Sequence, residues 1–147
     1  GICVTEADLR DYTARPVYDS SLWLAIKNNQ TDEVVATGIA ELDKEVGEGV
    51  LEWIQVSEQY RGYGLGKYVV SELLWRMKEN ATFATVSGQC NNPTNPEALY
   101  RKCGFTGSDV WHVLERGKQM ATWIAHLMIA DGVRMYSELR YTWFLRW

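Results

Sequence analysis

Residues 61–66 read RGYGLG, and this glycine-rich stretch is the part of the sequence best suited to hold a ligand. It lies between two apolar runs, 51–56 and 67–77, so it marks the point where a strand passes into a helix. Backbone N–H groups at the start of a helix have no partners inside the helix, and the helix dipole adds positive potential. The stretch therefore predicts a binding site for an anion such as a phosphate.

Three kinds of phosphate-binding loop occur at such a position, and the spacing of the residues excludes two of them. A dinucleotide fingerprint, GxGxxG, needs a third glycine after Gly64 and Gly66, but the chain has Val69 there. A Walker loop ends in GKS or GKT, whereas Lys67 is followed by Tyr68 and no hydroxyl stands where magnesium would be bound. The pyrophosphate of coenzyme A is the third possibility.

Length, charge and composition limit the class of protein. The chain has 147 residues, which suits one domain with an ordinary core, and its net charge of -4 argues against nucleic-acid binding. Its three cysteines and two histidines do not have the spacing of metal ligands, so we expect no metal and expect Cys90 and Cys103 to be buried core thiols. No apolar run reaches membrane-spanning length and no signal peptide is visible, so we expect no membrane association and a cytoplasmic location.

The elements that would position the loop follow from hydrophobic periodicity and turn residues. Thr5 and Asp8 form a capping pattern, NNQTD separates two β-rich runs, and apolar residues after the loop recur at helical spacing. We expect a helix at 5–15, strands at 21–29, 33–43 and 50–56, a helix at 67–80, a strand at 83–90, a helix at 97–103 and a last strand at 109–115. This order predicts a mixed α/β (α+β) sheet, antiparallel at first and then crossed over by a helix.

The tail differs from the preceding residues, so we divide the chain into a domain at 1–117 and an aromatic-rich extension at 118–147. Apolar residues from Met120 to Met128 form a helical stripe, and four aromatic residues lie in the last seven positions. Such a segment is expected to pack on its own domain or on a neighbouring chain, which makes a homodimer through the tail possible.

Two blocks of the sequence resemble one known family. LEWIQVSEQYRGYGLGKYVVSELL is similar to the signature of the Gcn5-related N-acetyltransferases (GNAT), whose acetyl-CoA loop reads R/QxxGxG/A and is matched by Arg61, Gly64 and Gly66. NPEALYRKCGF at 95–105 resembles a later motif of the same family. The resemblance implies a mostly antiparallel sheet flanked by helices and splayed at the acetyl-CoA site, with the family's N-terminal strand and helix shortened here.

The resemblance also implies where acetyl-CoA, as co-substrate, would bind. The main chain of the strand before the loop would pair with pantetheine, the backbone of the loop would hold the pyrophosphate, and two asparagines further on are weaker candidates for contact. The implied residues are Ile54, Gln55 and Val56 in the strand, Arg61, Gly62, Tyr63, Gly64, Leu65, Gly66 and Lys67 in the loop, and Asn92 and Asn95 beyond it. An amide near Gln55 is a candidate for polarising the acetyl carbonyl.

The reaction also needs an acid and a base. The family's tyrosine that protonates the departing CoA thiolate corresponds to Tyr100, whose phenol is protonated at neutral pH. An amine must also lose a proton before it attacks, and Glu52, in the strand that should line the cleft, is the first choice for the base, directly or through water. Ser87 and Gln89 on the neighbouring strand are candidates for positioning the acceptor or that water.

The predicted function is acetyl-CoA-dependent transfer of an acetyl group directly to a primary amine, with no covalent enzyme intermediate. The acceptor is a small molecule or peptide of unknown identity, and the acidic composition permits cationic amines. The alternative is a non-catalytic module, derived from a truncated acetyltransferase domain, that binds acyl-CoA and uses its tail for interactions.

Overall fold

The computed structural model describes residues 5–90, 92–115 and 138–147 of the protein. Its helices and strands, in chain order, are α1 (Glu6–Thr13), β1 (Trp23–Lys27), β2 (Val34–Asp43), β3 (Glu48–Val56), α2 (Leu65–Met77), β4 (Phe83–Gln89), α3 (Pro96–Lys102), β5 (Thr106–Glu115) and β6 (Glu138–Arg146). Short 3₁₀ turns at Ser20–Leu22 and Glu58–Tyr60 precede β1 and α2.

The strands form one six-stranded sheet in the order β1-β2-β3-β4-β6-β5. Only the pair β3 and β4 is parallel among the described strands, and α2 makes the crossover between them. The predicted mixed, mostly antiparallel sheet flanked by helices is therefore confirmed. The parallel pair places the carboxyl end of β3, where the glycine loop begins, beside that of β4.

The strand predicted at 109–115 is present as β5, but the prediction that it is the last strand of the chain is wrong. A further strand, β6, inserts between β4 and β5 and pairs antiparallel with both of them. Its register with β4 runs from Thr85 opposite Arg146 to Gln89 opposite Thr142. The end of the tail is thus a central part of the sheet, while its predicted helical stripe from Met120 to Met128 lies outside the described residues.

The first helix shows how local signals set an element. The side-chain oxygen of Thr5 accepts a hydrogen bond from the backbone N–H of Asp8, and the Asp8 carboxylate accepts one from the backbone N–H of Thr5. This capping box satisfies donors that the first turn cannot satisfy itself. The helix ends at Thr13, two residues before the predicted end at Arg15.

The core lies between the sheet and α2. The buried side chains of this helix follow the predicted stripe: Val69, Val70, Leu73, Leu74 and Met77. Packing is close enough that a Cβ added at Gly38 in β2 would lie 2.2 Å from Cγ1 of Val69. Tyr100, Phe105 and Leu145 extend the same core toward α3 and β6.

The two cysteines that the structure describes differ in burial. Cys103 is partly buried against the core, but Cys90 is exposed at the end of β4, so its assignment as a core thiol is wrong. In the described part of the chain, no helix is long and apolar enough to cross a membrane.

Candidate active site

The strands β3 and β4 part in the middle of the sheet, as the resemblance implied. Their parallel register runs from Glu48 opposite Phe83 to Leu51 opposite Val86 and then stops. Beyond that point β3 stays paired with β2 as far as Val56, and β4 stays paired with β6 as far as Gln89. A gap with strand edges on both sides therefore opens next to Glu52, the first residue of β3 after the last pair.

A β-bulge in β3 lies at the start of this gap. Trp53 has a φ of +51°, and the register between β2 and β3 shifts between Thr37 and Ile39. A tryptophan in the left-handed region is strained, and a bulge of this kind redirects the side chains around it. In a regular strand two neighbouring side chains point to opposite faces, yet Glu52 and Trp53 line the same cavity.

Glu52 is partly buried and has an unusual electrostatic environment. Burial raises its pKa above the ordinary value, and the carboxylate of Glu41 on β2 raises the pKa further. Arg15, which follows α1, opposes this by favouring the charged form of Glu52. Arg15 itself forms an ion pair with Glu41. The result is a carboxylate that binds protons more readily than an exposed glutamate does.

Tyr100 reaches the core from α3 and is only 6% exposed. Its ring packs edge to face on Phe105, with ring centroids 5.8 Å apart. Burial raises the pKa of Tyr100 to about 12, with the Glu52 carboxylate as the next cause. The two predicted catalytic groups therefore interact electrostatically although they come from different elements. A phenol with this pKa stays protonated at neutral pH and can donate a proton.

The three glycines of the loop are needed for two different reasons, backbone conformation and close packing. Gly62 and Gly64 have φ values of +86° and +82°, and Gly64 is the N-cap residue of α2. Both need a left-handed backbone that other residues adopt at a cost. Gly66 has an ordinary φ, but a Cβ there would lie 3.1 Å from Cδ2 of Leu99 in α3. It thus permits close packing of α2 on the helix that carries Tyr100.

The start of α2 has the features expected of the anion site predicted from the sequence. The backbone N–H groups of Leu65, Gly66 and Lys67 belong to the first helical turn and have no partners within the helix. Arg61, Tyr63 and Lys67 are exposed around it, and Tyr63 is 78% exposed. The arrangement suits a pyrophosphate, because it combines free backbone donors, a helix dipole and nearby cations.

The strand residues assigned to cofactor and acceptor flank the gap. Ile54 and Val56 pack partly against the core, and Gln55 is exposed. The backbone of these three residues lies on the part of β3 that no longer pairs with β4. Across the gap, the side chains of Ser87 and Gln89 on β4 are exposed.

The two asparagines lie in the loop before α3. The side-chain oxygen of Asn92 accepts hydrogen bonds from the backbone N–H and the hydroxyl of Thr94, at 3.0 and 2.7 Å. Asn95 is exposed at the N-cap position of α3 with a φ of +45°. Asn92 therefore shapes its own loop, and a role for either residue in cofactor contact stays a prediction.

A cavity beside Glu52 involves residues that the sequence interpretation did not select. It has a volume of about 60 Å³ beneath α1, and its walls include three aromatic and two acidic side chains: Tyr12, Trp23, Trp53, Glu41 and Glu52. Glu41 carried a signal, because it is an acidic residue between the apolar Ala40 and Leu42 in a predicted strand. The strained bulge that directs Trp53 into this cavity has no such local signal.

Comparison with known proteins agrees with this geometry. The sequence profile of the acetyltransferase (GNAT) domain matches residues 18–107. No curated protein matches the sequence.

Solved structures share the fold at low sequence identity. Ard1 from Thermoplasma volcanium has a TM-score of 0.66 and 14% identity, over 98% of this chain and 79% of that chain. A ribosomal-protein-alanine N-acetyltransferase from Brucella melitensis has a TM-score of 0.57 and 17% identity, over 85% and 67%. An acetyltransferase from Bacillus subtilis, solved in complex with CoA, has a TM-score of 0.55 and 18% identity, over 79% and 70%.

A mostly antiparallel sheet that splays beside a glycine loop at the start of a crossover helix is the architecture of the acetyltransferase class of fold. The chain belongs to the GNAT family, since the family profile covers more than half of its length. It is an acetyltransferase.

Proposed function

We propose that the protein transfers an acetyl group directly from acetyl-CoA to a primary amine in the gap between β3 and β4. The observation that carries the proposal is the gap that opens at Glu52 where β3 and β4 stop pairing, and the two ionisable groups assigned to the reaction are Glu52 and Tyr100. One group has a raised affinity for protons and the other holds its proton at neutral pH. These are the properties that a base and an acid need on opposite sides of an acyl transfer.

The binding of acetyl-CoA is supported by the gap and by the loop. The unpaired edge of β3 at Ile54–Val56 offers main-chain groups to pantetheine, and the first turn of α2 offers N–H groups to the pyrophosphate. The positive φ values of Gly62 and Gly64 shape the backbone for this approach. The CoA complex of the Bacillus subtilis relative is consistent with this assignment.

The proposed reaction consists of proton transfers at Glu52 and Tyr100 and the transfer of the acetyl group. Glu52 accepts one proton from the ammonium form of the acceptor, directly or through a water molecule, which frees the nitrogen lone pair. The nitrogen forms a bond to the acetyl carbonyl carbon, and the C–S bond to CoA breaks. Tyr100 donates its proton to the departing thiolate. The nitrogen still carries one proton more than the neutral amide, and this proton passes through solvent to the tyrosinate, while the protonated Glu52 releases its proton to solvent. The products are the acetamide, CoA thiol and one proton.

A thiol-release assay tests this function. The protein is incubated with acetyl-CoA and a panel of primary amines, and free CoA is measured with and without each amine. We expect amine-dependent release that Glu52→Gln and Tyr100→Phe both reduce. Tight acetyl-CoA binding without release for any amine would instead identify a non-catalytic acyl-CoA-binding module.

Other expectations are untouched by these observations. A cytoplasmic location, a homodimer through the tail and the division at residue 117 stay predictions from the sequence. The cavity beside Glu52 limits which amines can be the acceptor.

A further inference from the structure

The cavity beneath α1 has the walls of a cation site. The rings of Tyr12, Trp23 and Trp53 surround it together with two acidic residues. Tyr12 and Trp53 meet edge to face, with ring centroids 5.6 Å apart. Aromatic faces attract cations, and the Arg15 guanidinium already lies 5.3 Å from the centre of the Tyr12 ring. The environment thus favours a positively charged group over a neutral one.

The charge of this cavity is matched to a single cation. Its walls include the acidic residues Glu41 and Glu52, and Arg15 forms an ion pair with Glu41. One carboxylate, that of Glu52, is left to interact with a ligand. The volume of about 60 Å³ holds an ammonium group and a few attached carbons, because a single water needs about 10–15 Å³.

A wider groove continues from the cavity across the same face of the sheet. It shares Trp23, Ile39 and Trp53 with the cavity and has a volume of about 310 Å³. Its other walls are small, apolar or neutral, as in Leu24 and Ala25. In the part of the chain that the structure describes, no residue lining this groove carries a charge. A second ammonium group placed there would lose hydration without gaining a carboxylate.

We infer that the acceptor is a primary amine with one positive charge and an uncharged, apolar or aromatic remainder. The ammonium group lies in the cavity against Glu52, and the remainder lies in the groove between Trp23 and Trp53. This inference rests on the proposed function, since it makes the cavity the acceptor site of that reaction. It assigns specificity to Tyr12, Trp23 and Trp53, and it disfavours polyamines.

The test compares three probes on the full chain at saturating CoA, which carries no acetyl group. They are 2-phenylethylamine, its uncharged analogue 2-phenylethanol, and spermidine, and their binding is measured by isothermal titration calorimetry. We expect 2-phenylethylamine to bind at least about tenfold more tightly than either of the others, because only it satisfies both the carboxylate and the apolar groove. Spermidine or 2-phenylethanol binding as tightly as 2-phenylethylamine would overturn the inference.

Two tryptophan variants show whether binding occurs in this cavity. Trp23→Leu and Trp53→Gly should each weaken 2-phenylethylamine binding by about 3- to 30-fold. Glycine is chosen at position 53 because it accepts the positive φ. Two variants are used so that a folding defect in one of them does not decide the outcome. The control is Trp75→Leu, since Trp75 is 62% exposed on α2 and should bind as wild type does. Unchanged affinity in both cavity variants would refute the assignment.

CoA release from acetyl-CoA, measured on the same proteins, separates the two claims. If 2-phenylethylamine binding depends on both tryptophans but no amine causes release, the cavity stands and the acetyltransfer proposal fails. If amines cause release while their binding is insensitive to both tryptophans, the acetyltransfer proposal stands and the acceptor cavity is refuted.

Discussion

In the proposed mechanism, the phenol of Tyr100 is the acid and the carboxylate of Glu52 is the base. Tyr100 is almost fully buried, whereas Glu52 is partly buried at the edge of the gap. Each is shifted toward its protonated form, and Glu52 contributes to the shift of Tyr100. When Glu52 takes a proton from the amine in the proposed reaction, it loses the negative charge that helps to raise the pKa of Tyr100. The pKa of the phenol therefore falls. The first step of the proposed reaction makes Tyr100 a better acid for the last step.

Removal of the Tyr100 hydroxyl should slow the chemical step and leave cofactor binding intact. We expect Tyr100→Phe to reduce kcat by about 10²- to 10⁴-fold, the usual contribution of a positioned acid. The ring and its packing on Phe105 are kept, so acetyl-CoA affinity should change little. Steady-state kinetics and calorimetry measure the two quantities. A fully active variant would remove Tyr100 from the mechanism.

The charges around Glu52 should set the acidic limb of the pH dependence. The base acts only when deprotonated, so kcat/KM falls as pH falls through the Glu52 pKa, which lies above the ordinary value. Glu41→Gln removes a negative charge and should move this limb to lower pH. Arg15→Met removes the opposing positive charge and should move it to higher pH.

These opposite shifts exclude a merely structural effect, since a folding defect would lower activity at all pH values. The groups that face Glu52 are Glu41 on β2, Arg15 after α1 and Tyr100 on α3. Glu72→Gln is the matched control, because Glu72 also pairs with an arginine, Arg76, but on α2. Shifts in the same direction for both test variants would contradict the electrostatic account.

At the scale of elements, the glycine loop and α2 connect the proposed cofactor site with Tyr100. Gly64 caps the helix in a left-handed conformation, and Gly66 lets α3 approach the first turn. The helix in turn packs its buried face on β2 and β3. The N-terminal end of α2, where we propose that the pyrophosphate binds, and the position of Tyr100 are thus coupled through packing.

A substitution at the cap should reveal the cost of this conformation. Gly64→Ala keeps open space around the new Cβ but forces alanine to a φ of +82°. We expect a loss of about 1–2 kcal/mol in the free energy of unfolding, measured in urea, together with weaker acetyl-CoA binding. Ser71→Ala, at an exposed position within α2, is the control. An unchanged unfolding midpoint for Gly64→Ala would contradict the left-handed cap.

At the scale of the whole molecule, β6 joins the last part of the chain to the centre of the sheet. Leu145 is 2% exposed and belongs to the same core cluster as Val86 and Phe105. The final residue continues this contact, since the backbone of Trp147 exchanges hydrogen bonds with that of Ala84 at 2.8 and 3.1 Å. Stability of the acetyltransferase fold therefore depends on residues far in sequence from its motifs.

Truncation of Leu145 should destabilise the whole domain. We expect Leu145→Ala to lower the free energy of unfolding by about 2–5 kcal/mol, as for other buried leucines. Val46→Ala serves as the control because Val46 is 61% exposed. The comparison uses urea unfolding followed by tryptophan fluorescence. Equal stability of the two variants would place Leu145 outside the core.

The sequence predicted those features that depend on local patterns. The capping box at Thr5, the buried stripe of α2 and the glycine loop are each set by residues within a few positions of one another. Family resemblance supplied the splay and the proposed role of Tyr100, whereas Glu52 was chosen because it lies in the strand that should line the cleft. Element ends differed by at most three residues, since the ends of helices and strands fray and depend on tertiary contacts.

Two features were beyond such reasoning for physical reasons. The insertion of β6 between β4 and β5 is a non-local pairing, and its aromatic sequence suited packing on many surfaces. The left-handed backbone at Trp53 is one that tryptophan rarely adopts, so tertiary structure must impose it. Both features shape the candidate site, the first because β6 pairs with β4 and the second because Trp53 lines the proposed acceptor cavity.

Transfer of a labelled acetyl group is the most direct test of the central claim. The protein is supplied with acetyl-CoA deuterated in its acetyl group and with 2-phenylethylamine among a panel of primary amines, and products are followed by mass spectrometry. The account predicts one labelled acetamide for each CoA formed, with the rate reduced in Tyr100→Phe and in Glu52→Gln. Label that stays in acetyl-CoA, or that appears only as acetate, would contradict it.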